Sequence, residues 1–174
     1  SWLAPLPWFV EVTGQVLDGG NELFASDRGE DLLYLSHLKS FHEVGDATTI
    51  EWGASAASGA NARKGTSSLL GVDLTLKWRP VGAGTQRAFI WQTEYLRAKD
   101  DTPGAVDEGG LYSQMQMQIK RRWWLQARAD LLDLPGAADS RTWRGSLLVA
   151  VAPSEFSALR PQYSRLHEEA DDVH

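Results

Sequence analysis

The chain has 174 residues, 43% hydrophobic and 23% charged, with a net charge of −6, no cysteine and 8 tryptophans. That length supports one domain with its own core, and the absence of cysteine excludes disulfide scaffolds and thiolate metal sites. The acidic balance argues against a nucleic-acid surface, which needs clustered Lys and Arg. No run approaches the roughly 18 apolar residues of a spanning helix, and Ser1-Trp2-Leu3-Ala4-Pro5 does not read as a signal peptide.

Helical spacing is scarce and alternation at two is common, which predicts strands. The first covers about 7–17, where Trp8, Val10, Val12 and Val16 alternate with Phe9, Glu11, Thr13 and Gln15. A weaker pattern covers 32–42. The third, 48–57, sets Ile50, Trp52, Ala54 and Ala56 against Glu51, Gly53 and Ser55. The fourth, 67–79, sets Leu70, Val72, Leu74, Leu76 and Trp78 against Gly71, Asp73, Thr75 and Lys77. After 87–98, the strand 111–120 places Leu111, Met115, Met117 and Ile119 opposite Tyr112, Gln114, Gln116 and Gln118. The strand 123–132 repeats the contrast, with Trp123, Leu125, Ala127 and Ala129 against Gln126, Arg128 and Asp130. The last two cover 142–152 and 155–166. The sum is an all-β antiparallel meander of about nine strands.

Most of these strands exceed the usual length of about 5–6 residues and match the ~9–11 that a tilted strand needs to cross a bilayer. The links 18–31, 58–66, 99–110 and 132–141 read as long, and 43–47, 80–86, 120–122 and 153–154 as short. Such alternation puts long links at one end and short turns at the other, as in outer-membrane barrels. Trp8, Trp78, Trp91 and Trp123 fall near the short-turn end, and Tyr34, Tyr95, Tyr112 and Tyr163 toward the long-link end, as interface aromatics do.

Alternation alone does not say which face meets solvent. The polar set mixes both charge signs with amides, which suits a lumen where side chains pair across strands. Its expected lining residues are Glu11, Glu51, Asp73, Lys77, Glu94, Gln114, Gln116, Arg128, Asp130, Arg144 and Arg160. The apolar set includes Ala54, Ala56, Ala127, Ala129 and Val149, thin for a soluble core but adequate against lipid.

Carboxylates gather in the long links and the tail, as in Asp18, Glu22, Asp27, Glu30, Asp31, Asp100, Asp101, Asp107 and Glu108, while Arg79, Arg87, Lys120, Arg121 and Arg122 mark the short-turn end. An acidic rim gathers cations by field focusing; the plainer reading is solvated loops, bridged to lipopolysaccharide by divalent ions. In the tail, His167, Glu168, Asp171 and His174 form the one metal-like set, of a chemistry that suits zinc but at no defined spacing. Ser36, Ser40 and His42 share a strand parity, yet nothing indicates an elbow or oxyanion hole, so no catalytic residue and no enzyme activity are expected. No cofactor is indicated.

The segments Leu70–Pro80, Ala88–Glu94, Pro153–Ser157 and Trp2–Trp8 resemble those of uncharacterised bacterial outer-membrane barrels often labelled zinc-regulated TonB-dependent receptors or porin-like proteins. The resemblance implies an outer-membrane location, lipid and lipopolysaccharide around the chain, and a small solute or cation in transit. It does not imply energy-coupled uptake, because no segment here reads as an N-terminal plug, and zinc regulation would concern expression. The expectation is a single domain over 1–174 that forms a contiguous piece of a larger transmembrane β-barrel, because nine strands cannot close a bacterial barrel of the usual even count. It acts as a porin-like channel or receptor. The alternative is a non-transporting barrel, either plugged in the outer membrane or soluble and lipocalin-like.

Overall fold

The computed structural model describes residues 1–6, 8–18, 23–24, 32–61, 65–80, 82, 87–102, 107–132, 142–154 and 157–168. The strands are β1 (Trp2–Leu3), β2 (Phe9–Asp18), β3 (Leu32–Val44), β4 (Thr48–Ala60), β5 (Thr66–Trp78) and β6 (Ala88–Asp100). They continue as β7 (Glu108–Lys120), β8 (Trp123–Leu132), β9 (Thr142–Ser154), β10 (Ser157–Leu159) and β11 (Gln162–Glu168). All belong to one 11-stranded sheet whose order from β1 to β10 follows the chain, with β11 also on β9. Every pairing is antiparallel. The sheet is open, because among the described residues no ladder joins the β1–β2 edge to the β10–β11 edge.

The predicted meander is therefore present, with three differences. Residues 2–3 add a short strand that pairs Trp2 with Val12 and Leu3 with Glu11, too brief to show as alternation. The strand expected at 155–166 is split: β10 and β11 lie along the same side of β9, interrupted at Arg160 and Pro161. Proline has no N–H to give a ladder; instead its carbonyl accepts from Val149 N at 3.1 Å. Third, link length does not alternate strictly, since β4 and β5 extend until only 61–65 separates them, whereas 79–87 separates β5 from β6.

A side-chain turn explains that extension. Asn61 N donates to the Gly65 carbonyl at 3.0 Å, while Gly65 N donates to Asn61 Oδ1 at 2.8 Å. The same amide donates through Nδ2 to Asp100 Oδ1 at 2.9 Å and to Ser67 Oγ at 3.2 Å. Asn61 and Ser67 are buried, so this knot ties the β4–β5 turn to the end of β6. At the other end of β4, Gly45 takes φ 65° in the turn after β3, a conformation that glycine adopts without a Cβ penalty.

Directly opposed residues share a face, so the register sorts the sheet into two. One face carries Val12, Tyr34, Trp52, Val72, Met115, Met117, Leu125 and Leu147, all exposed. The other carries the half-buried Asp73, Glu94, Gln114, Gln116, Gln126, Arg128 and Asp130. Apolar side chains are thus the more exposed set, the reverse of a soluble sheet with one packed face.

Candidate functional site

The polar face holds a row set by register across nearly the whole sheet. Glu11 opposes Lys39, Lys39 opposes Gly53, and Gly53 opposes Asp73. Asp73 opposes Glu94, Glu94 opposes Tyr112, Tyr112 opposes Asp130, and Asp130 opposes Arg144. One step toward the short-turn end lies a second row, in which Glu51, Thr75, Gln92, Gln114 and Arg128 succeed one another from β4 to β8. Lys77 and Gln116 lie on the same face one step further along their strands. The expected lining residues therefore share one face, except Arg160, which stands outside the strands between β10 and β11.

The two rows are tied by charge. Lys39 Nζ lies 3.0 Å from Glu51 Oε1. The Arg128 guanidinium is forked onto Asp130, with Nε 2.8 Å and Nη2 2.6 Å from Oδ1. Its Cζ stands 4.5 Å from the centroid of the Tyr112 ring, a cation–π contact. Tyr112 therefore belongs to the charged row, whereas Tyr34, Tyr95 and Tyr163 lie on the apolar face. Tyr163 opposes Leu147, on the long-link half of β9.

A polar cleft of about 380 Å³ opens beside this fork, lined by Gln114, Gln126, Arg128, Asp130, Arg144, Ser146, Gln162 and Ser164. Ser146 and Ser164 hydroxyls lie 3.0 Å apart, and Gln162 Nε2 donates to Ser164 Oγ at 3.0 Å. Such a surface, with fixed donors and acceptors of both signs, orients a polar solute by hydrogen bonds and weak ion pairing.

Toward the long-link end the same face becomes apolar. Leu35 opposes Ala57, Ala57 opposes Leu69, and Leu69 opposes Ala98. Phe24, from the link after β2, packs there with Leu23, Leu33, Leu35, Ala57 and Leu69. Phe24 is only 4% exposed. A residue in an aperiodic link gives no alternation signal, so the sequence patterning misses it.

The remaining expectations separate clearly. His167 opposes Trp143 and its ring lies 5.8 Å from the indole, tilted by 41°. Glu168 opposes Thr142, and Asp171 and His174 lie outside the described residues. Among the described residues no group of three or more His, Asp or Glu could hold a metal ion. Ser40 and His42 do meet, Oγ to Nε2 at 3.0 Å. Yet Ser40 is fully buried and its hydroxyl donates to the Phe9 carbonyl at 3.0 Å. With its one proton so used, Oγ accepts from His42, the opposite polarity from a base-activated nucleophile.

No family model matches the chain, and no solved structure matches it. It is similar to an uncharacterized protein of Aquifex aeolicus (strain VF5), 27% identical over an alignment that covers 93% of this chain and 43% of the relative. The chain thus spans less than half the length of that curated relative.

Proposed function

We propose that the chain is a section of an outer-membrane β-barrel that passes or binds small solutes along its polar face. The observation that carries this reading is the inverted exposure of the two faces. On β7 and β8, Met115, Met117, Leu125 and Ala127 are exposed while Gln114, Gln116, Gln126 and Arg128 are half-buried. Leaving so many large apolar side chains in water costs about 25 cal/mol per Å² of their area, and lipid removes that cost. Strands of 13 residues, such as β3 to β7, are long enough to cross the hydrocarbon layer at a tilt. Trp78 and Trp123 at the short-turn ends of β5 and β8 suit an interfacial belt.

In this reading the apolar face meets lipid, and the Glu11–Arg144 row lines a charge-mixed path. The resemblance of Leu70–Pro80 and Ala88–Glu94 to outer-membrane barrels supports the same assignment. Planar-bilayer recording of the intact protein tests transport. Stepwise conductance is the expected result, and a folded, inserted protein without any conductance contradicts it.

A further inference from the structure

The polar cleft that spans β7, β8, β9 and β11 is not neutral. Of its described lining residues, Arg128, Asp130 and Arg144 are ionised, so guanidinium exceeds carboxylate by one charge. Asp130 stands beside both arginines, since Arg144 opposes it on β9, but its oxygens are held by Arg128. On its other side Arg144 opposes Leu166, which offers no counter-charge. Arg144 is exposed, and among the described residues it forms no ion pair. Glu94, the next carboxylate along the row, lies three strands from Arg144, about 14 Å at ~4.8 Å per strand. That exceeds the Debye length of about 8 Å at physiological salt, so Glu94 does little to cancel the excess.

The rest of the lining decides what surrounds that charge. Among the described residues the Gln114 and Gln126 amides form no side-chain hydrogen bond, so each presents a carbonyl and an NH2 to the cleft. Ser146 and Ser164, 3.0 Å apart, add hydroxyls. A guanidinium forks onto a carboxylate, while amides and hydroxyls match the donors and acceptors of a polyol. The volume of about 380 Å³ suits a small molecule.

Resting on the solute-binding reading above, we propose that this cleft takes a small hydroxylated monoanion, a sugar acid by chemical class. Its carboxylate lies on Arg144 and its hydroxyls on Gln114, Gln126 and Ser164. One excess positive charge balances one carboxylate. A neutral sugar keeps the hydroxyl contacts but lacks the ion pair, an amino sugar meets repulsion, and a simple carboxylate lacks the hydroxyl contacts.

The test is calorimetric titration of the intact protein in detergent micelles with glucuronate, glucose, glucosamine and acetate. Glucuronate is expected to bind about ten-fold or more tightly than each of the others, the worth of a hydrogen bond to a charged group. Arg144→Gln removes that preference and leaves glucuronate near glucose. Arg165→Gln is the charge control: it deletes the same charge from β11, but Arg165 opposes Gly145 on the apolar face, so the affinity stays unchanged. Equal binding of glucuronate and glucose, tighter binding of glucosamine, acetate bound as well as glucuronate, or no binding at all overturns the proposal. So does a preference that survives in folded Arg144→Gln protein, or one lost equally in Arg165→Gln; the four-ligand comparison on the unaltered protein decides the matter should a variant not fold. The titration reads occupancy, so an absence of conductance counts against transport and leaves this result standing. Equal binding of neutral and anionic sugars removes the charge assignment and leaves the solute site.

Discussion

Asp73 and Glu94 stand directly opposite one another on β5 and β6, two carboxylates at the centre of the charged row. Among the described residues neither forms a salt bridge, while their neighbours Lys39 and Arg128 are engaged by Glu51 and Asp130. Like charges across a ladder destabilise it by roughly 0.2–1 kcal/mol. Glu94→Gln is expected to raise folding stability at neutral pH by that amount, read from the midpoint of a reversible urea titration. The gain vanishes when Asp73→Asn is already present.

Gly53 completes the same row by leaving space. A Cβ at that position would overlap the Asp73 carboxylate, so Gly53→Ala displaces that side chain toward Glu94. Because a half-buried side chain can swing aside, the expected cost is about 0.5–1 kcal/mol. The double variant Gly53→Ala/Asp73→Ala recovers most of the loss, and a double-mutant cycle reads a coupling of at least ~0.5 kcal/mol.

Asn61 holds the knot at the other end of β4. Replacing it with Ala removes the acceptor of Gly65 N and the donor to Asp100 and to the buried Ser67 hydroxyl. The expected cost is about 1–3 kcal/mol. Amide exchange of Gly65 and Asp101 reports it locally, and both are expected to accelerate more than amides at the centre of β4.

How much of this was legible depends on where a residue stands in its strand. Parity alone placed Glu51, Asp73, Glu94, Gln114, Arg128 and Asp130 on one face, because a regular ladder carries alternation from strand to strand without loss. Parity could not place Arg160, since it takes Pro161 to break the return strand there. Nor could it see that the Asn61 side chain would imitate a turn and shorten the β4–β5 link, which undid the strict alternation of long and short links. Phe24 was invisible for a different reason: its burial comes from contacts far away in sequence, with Ala57 and Leu69. Parity put Ser40 and His42 on one face, but their contact and its polarity come from the folded geometry, where the Ser40 hydroxyl also donates to the Phe9 carbonyl.

The claim that the exposed apolar face meets lipid is tested most directly at Val72, in the middle of β5 and 54% exposed. The measurement is the folding free energy of Val72→Arg into vesicles, set beside Gln92→Arg on the polar face. At the bilayer midplane the arginine is expected to cost about 2–4 kcal/mol at position 72 and far less at position 92. A cost at position 72 within about 0.5 kcal/mol, as for an ordinary solvated surface, would contradict the membrane assignment.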